Sequence, residues 1–122
     1  MWARRVGGAL AAALCALPAW AQIRVGQPSG FTGPVAPGVK ENTDGARLYF
    51  DAVNARGGVN GQKIELVSLY EKFDPKFTVE VGRKLITEDK VIALFMNRGT
   101  PHSQALIPLV EEFKVPLIAP ST

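Results

Sequence analysis

Four short apolar runs, separated by three stretches with helical spacing, constrain this chain more than any other feature. Ile23-Arg24-Val25-Gly26-Gln27-Pro28 alternates weakly, as a strand does. Lys63 to Tyr70 is a second such run, Val91 to Met96 is apolar without a break, and Val115 to Ala119 is a fourth. Ser29 to Gly38, dense in Gly, Pro, Ser and Thr, reads as a loop. Beyond it Val39, Thr43, Ala46, Phe50 and Val53 recur every three or four residues, one face of a helix running to Ala55. Gly57-Gly58 closes that helix, and Asn60-Gly61 adds a second turn signal. Asp74-Pro75 reads as an N-cap with proline at the first helical position, where its missing N–H costs nothing. The helix it opens is expected to reach Glu88 with Phe77, Val81, Leu85 and Ile86 inward. Thr100-Pro101 repeats the cap-and-proline pattern and opens a third helix through Phe113.

Strands alternating with helices demand right-handed crossovers and an all-parallel sheet, so the fold class is α/β with an open sheet. The expected strand order is 2-1-3-4. The unbroken run from Val91 to Met96 fits a strand buried on both faces of such a sheet. After the fourth strand come only Pro120, Ser121 and Thr122. A four-stranded sheet ending there leaves an edge open. The expectation is the incomplete first part of a longer domain over residues 22–122.

The first 21 residues read differently. Arg4 and Arg5 form a positive start, Val6 to Leu17 is apolar, Pro18 breaks it, and Ala19-Trp20-Ala21 offers small residues for cleavage between Ala21 and Gln22. That is the pattern of a cleaved export signal. A membrane span needs roughly 20 apolar residues, more than this stretch offers. Cys15, the one cysteine, lies inside it behind Leu14 and has no lipidation context, so the mature chain carries no disulfide. The net charge of +3 also resides largely there: without Arg4 and Arg5, 12 basic residues face 11 acidic ones. No electrostatic case for nucleic acid or anionic membrane remains.

In open α/β sheets, ligands bind beyond the carboxyl ends of the strands where the strand order reverses. With order 2-1-3-4 that point lies between the first and third strands. Ser29 and Thr32 in the loop after the first strand, Gly99 and Thr100 after the third, and Ser121 and Thr122 after the fourth are the candidate ligand-binding residues. Thr100 is read as a helix N-cap, where free N–H groups and the positive helix end suit a carboxylate or phosphate. His102, the single histidine, has no neighbouring ligand or nucleophile in sequence. Glu71, Asp74, Glu88 and Asp89 flank turns and helix ends, where solvated charges are usual. No phosphate-loop, dinucleotide or G-x-S-x-G motif is present, so no catalytic, metal or cofactor site is assigned.

The run Asn54-Ala55-Arg56-Gly57-Gly58-Val59-Asn60-Gly61-Gln62-Lys63-Ile64-Glu65-Leu66-Val67 closely resembles the helix–turn–strand signature of leucine/isoleucine/valine-type periplasmic binding proteins. Thr32-Gly33-Pro34, Gly45-Ala46, Asp74-Pro75, Lys84-Leu85-Ile86, Asp89-Lys90-Val91 and Val115-Pro116-Leu117-Ile118 add to the likeness, which covers Ile23 to Thr122. The resemblance implies a type I binding protein: two lobes on a hinge, closing on a solute for an ABC importer. It implies that the solute carboxylate is held at Thr100, or at Gly99 if the match slips by one, together with Ser121 and Thr122. Two positions depart from it. Gly38 stands where amino-acid-binding relatives often carry an aromatic ring, and Tyr70-Glu71 stands where they often carry an acidic pair.

The expected function is therefore extracytoplasmic binding of a small polar solute, an amino acid, amide or similar compound, in the periplasm. The expected partner is an ABC permease in the inner membrane; no catalysis, metal or cofactor is expected. The alternative is a ligand-sensing module of a receptor or regulator with the same fold. A secreted flavodoxin-like enzyme is a third reading, disfavoured by the missing nucleophile and phosphate motifs. One lobe alone is not expected to enclose a solute.

Overall fold

The structure, a computed structural model, describes residues 22–122. The export-signal features, including Arg4, Arg5, Cys15 and the Ala21 side of the cleavage point, lie outside the described residues. The elements run β1 (Ile23–Ser29), α1 (Ala36–Ala55), β2 (Ile64–Tyr70), α2 (Pro75–Thr87), β3 (Ala93–Phe95), α3 (Thr100–Phe113) and β4 (Leu117–Ile118). All pairings are parallel and the sheet order is β2-β1-β3-β4, as the alternation requires. β1 pairs along its full length with β2, from Ile23 opposite Ile64 to Ser29 opposite Tyr70. Its contact with β3 is shorter, Val25 and Gly26 opposite Ala93 and Leu94.

The two faces of the sheet are held by different forces. On one, α2 and α3 pack together and bury Leu85, Ile86, Val91, Leu94, Leu106 and Leu109, with Val67, Leu69 and Val81 packed against them. Burying a side chain of this size contributes about 1.5–3 kcal/mol relative to leaving it in water. On the other face α1 is fastened partly by polar groups. Gln27, fully buried in β1, donates to Thr43 Oγ1 at 2.9 Å and accepts from Ser68 Oγ at 2.8 Å, so its amide is satisfied where an apolar contact would be expected. Val39 and Thr43 of the predicted stripe are buried, and Phe50 reaches Phe95 with ring centroids 5.7 Å apart.

The end of α1 follows the sequence signals closely. Gly57 N–H donates to Asn54 O and Gly58 N–H to Val53 O, the paired bonds by which a positive-φ residue closes a helix. Asn60 and Gly61 both have positive φ between the mutually bonded Val59 and Gln62, the backbone a two-residue hairpin turn needs. Asn54 then clasps the start of β2, donating to Ile64 O and accepting from Ile64 N, both at 2.8 Å.

Several expectations are corrected. The first helix starts at Ala36, not Val39, because Pro37 falls in its first turn, where proline's fixed φ suits the helix. Phe77 is exposed at 36% and Thr78 takes the inward position, drawn there by a hydrogen bond from its hydroxyl to the buried Glu71. Ile92 is 59% exposed, since the third strand begins only at Ala93 and no helix covers the residue before it. The fourth strand contracts to Leu117–Ile118, since Ala119 has positive φ and leaves the extended backbone. Asp74 does cap α2, its carboxylate accepting from Lys76 N at 2.9 Å.

Candidate functional site

The carboxyl ends of β1 and β3, adjacent in the sheet, bring the β1–α1 loop beside the β3–α3 loop. The second loop is tied to the end of β4. Gly99 N–H donates to Ser121 O at 2.7 Å and Ser121 N–H to Asn97 O at 2.9 Å, which extends the sheet by a parallel bridge between Arg98 and Ser121. Gly99, Thr100, Ser121 and Thr122 thus form one cluster, and Thr100 and Thr122 line a shallow cavity of about 340 Å³ with Pro120 and Leu117.

Thr100 is not the cap that the sequence suggests. Gly99 is the N-cap of α3, with φ 103° and ψ 133°, a conformation that glycine adopts without strain. Its carbonyl accepts from both the N–H and the hydroxyl of Ser103, at 2.9 and 3.0 Å. Thr100 is already helical and exposed, with no capping bond. Pro101 has no N–H, so the α3 terminus presents the N–H groups of Thr100 and His102 without intrahelical acceptors.

Ser29 ends β1 fully buried, and its hydroxyl has no partner among the described residues. Thr32 lies apart from the cluster. It is exposed, its hydroxyl 2.6 Å from that of Tyr70, and it pins the β1–α1 loop to the end of β2. No hydrogen bond among the described residues joins Ser29 or Thr32 to Gly99, Thr100, Ser121 or Thr122.

Sequence reasoning missed the most unusual electrostatic feature. Glu71 is buried at 1% exposure instead of solvated. Its Oε2 accepts from the Thr78 hydroxyl, while its Oε1, unpartnered, lies 4.0 Å from Nε2 of the equally buried His102. Desolvation, with the Asp74 charge second, raises the Glu71 carboxyl to about 7. Phe73 stacks on the His102 ring at 4.3 Å and closes the pair from solvent. The histidine that the sequence leaves without a neighbour has one, supplied by the loop after β2. The two groups do not make a metal centre: among the described residues no three His, Cys, Asp or Glu converge.

Among the described residues, the rim offers free N–H groups and hydroxyls, with the buried carboxyl of Glu71 behind them. A family model described as periplasmic binding protein matches residues 22–122. The chain belongs to the periplasmic binding protein family. An amino acid binding protein of Pseudomonas aeruginosa is 36% identical over 95 residues, covering 78% of this chain and 25% of that protein. A substrate-binding periplasmic protein from Ralstonia solanacearum superposes with a TM-score of 0.77 at 34% identity, over 81% of this chain and 29% of that one. The substrate-binding protein of a Streptococcus pneumoniae branched-chain amino acid transporter, solved with isoleucine, gives 0.76 at 27% identity, over 84% and 30%. The chain spans about a quarter of the length of the curated periplasmic binding protein relatives it matches.

Proposed function

We propose that residues 22–122 form the opening part of the first lobe of an exported solute receptor, which delivers an amino acid, amide or similar small polar solute to an ABC permease in the inner membrane. The export signal over residues 1–21 and periplasmic residence belong to this reading. So does the absence of catalysis: the protein binds and releases its solute unchanged.

The observation that carries the reading is the convergence of Gly99, Thr100 and Ser121 at the reversal of strand order, against the open N-terminus of α3. The free N–H groups of Thr100 and His102 and the positive helix end favour the carboxylate of the solute. Thr100, Ser121 and Thr122 supply hydroxyls around it, and Ser29 lies at the β1 end of the same rim. The relatives' roles, amino acid binding and branched-chain amino acid transport, support the solute class.

The test is calorimetry on the protein expressed from its complete reading frame, with a panel of amino acids, amides and small organic acids. Thr100→Ala and Ser121→Ala are each expected to weaken the best solute about ten-fold, the loss of one hydrogen bond to a charged group, about 1.4 kcal/mol. Unchanged affinity in both variants would remove these residues from the site.

A further inference from the structure

We infer that Arg98 is a solute-contacting, specificity-determining residue, and that the solute carries a second carboxylate beyond the one at the α3 terminus, as an acidic amino acid or a dicarboxylate does. The inference rests on the solute-binding reading above and names the class of solute within it.

Arg98 leaves β3 at the switch point and lays its guanidinium across Gly38, in the first turn of α1. Nη1, Cζ and Nη2 stand 3.7, 3.9 and 3.9 Å from where a Cβ on Gly38 would be. Three such similar distances mean that the guanidinium plane, not its edge, faces the helix. The N–H edges, which do the bonding in a carboxylate pair, are left for something else. A Cβ at position 38 would stand in ordinary van der Waals contact with the guanidinium, so the first turn of α1 and Arg98 are neighbours.

The surroundings are unfavourable for an unpaired cation. α1 follows its N-cap Val35 without a side-chain cap and with no acidic residue in its first turn, and α3 follows its N-cap Gly99 in the same way. Arg98 therefore sits between two helix ends that each carry a partial positive charge. Among the described residues it has no ion-pair partner.

A second, independent feature lies on the same side of the sheet. Ser29 Oγ is fully buried and unpartnered. Side chains alternate along a strand, so Ser29 shares the face of Gln27, which bonds Thr43 of α1. The orphaned hydroxyl therefore faces the α1 side of the sheet, where Arg98 lies. Leaving such a group unpaired costs about 1–3 kcal/mol, and an acceptor arriving with the solute satisfies it. A carboxylate would accept two parallel hydrogen bonds from the guanidinium edge and a further one from the serine hydroxyl.

The experiment is calorimetry on the protein from its complete reading frame with matched pairs: glutamate and glutamine, aspartate and asparagine, succinate and succinamate, with leucine as the aliphatic reference. The acid of at least one pair is expected to bind at least ten-fold more tightly than its amide. Arg98→Gln should bring that ratio to within two-fold, and Arg98→Lys should retain part of it, with circular dichroism confirming that both variants are folded. An acid-to-amide ratio that survives Arg98→Gln overturns the inference, as does a wild-type protein that prefers leucine or an amide; in both cases solute binding itself still stands. If none of these compounds binds, the inference falls, and the solute-binding reading falls with it only when the broader panel also fails.

Discussion

Replacing Glu71 with glutamine should make the protein more stable at pH 8 and leave its stability nearly unchanged at pH 4. Burial raises this carboxyl to about 7, so between about 4.5 and 7 the folded state holds a proton that the unfolded chain releases. The sign follows directly: the contribution is fully present below about 4.5 and is lost as the pH rises through about 7. Above that, the folded protein must keep a charged carboxylate at 1% exposure, beside Asp74 and with its Oε1 unpaired. At 1.36 kcal/mol per unit, the penalty is about 3 kcal/mol. Glutamine keeps an oxygen for the Thr78 hydroxyl and never acquires the charge. Urea unfolding of both proteins at pH 4 and pH 8 checks this; a difference that does not change with pH would place the proton elsewhere. The effect bears on the site because Glu71 faces His102, one of the two residues whose N–H groups the α3 terminus presents.

The larger loss is expected at the turn after α1. Gly58 has φ +76°, and a Cβ there would stand 2.0 Å from Gln62 O and 2.5 Å from Gln62 C. Both are backbone atoms of the Val59–Gln62 hairpin, so no side chain can swing aside. Relief requires opening either the hairpin or the Gly58 N–H bond to Val53 O. A left-handed backbone costs roughly 1–2 kcal/mol for a residue with a Cβ, and forced overpacking adds about 1–3. Gly58→Ala should therefore cost about 4 kcal/mol, among the larger effects of single substitutions. Gly57 is the internal control: it too has positive φ, but a Cβ there would meet nothing within 4 Å. Gly57→Ala should show only the backbone share, about 1–2 kcal/mol. If the two alanine variants unfold at the same urea concentration, the steric account of this turn is wrong.

The architecture was legible wherever local chemistry decides it. The Gly57-Gly58 and Asn60-Gly61 signals, the Asp74-Pro75 helix start and the alternation of strand and helix all state backbone requirements that neighbouring residues alone can meet. They led to the 2-1-3-4 order and hence to the switch point. The site was legible only in outline, because its chemistry depends on contacts between residues far apart in the chain. Thr100 reads as a cap by residue type, yet Gly99 takes that role through a φ only the backbone reveals. Glu71 reads as a solvated charge after a strand; its burial comes from Phe73, Thr78 and His102 folding over it. Arg98 is one arginine in a loop until the fold brings the first turn of α1, at Gly38, beside its guanidinium.

The central claim is that solute is held at the carboxyl ends of β1, β3 and β4. Amide hydrogen exchange on the protein from its complete reading frame, with and without its best solute, tests it most directly. The expected result is slowed exchange at Gly30 to Gly33, at Gly99 and Thr100, at His102 and at Thr122, with little change elsewhere in residues 22–122. A cavity of about 630 Å³ lies at the opposite end of the sheet, lined by Gln22, Gly57, Gly61 and Lys63. Slowing confined to that end, with the switch-point loops unaffected, would contradict the account.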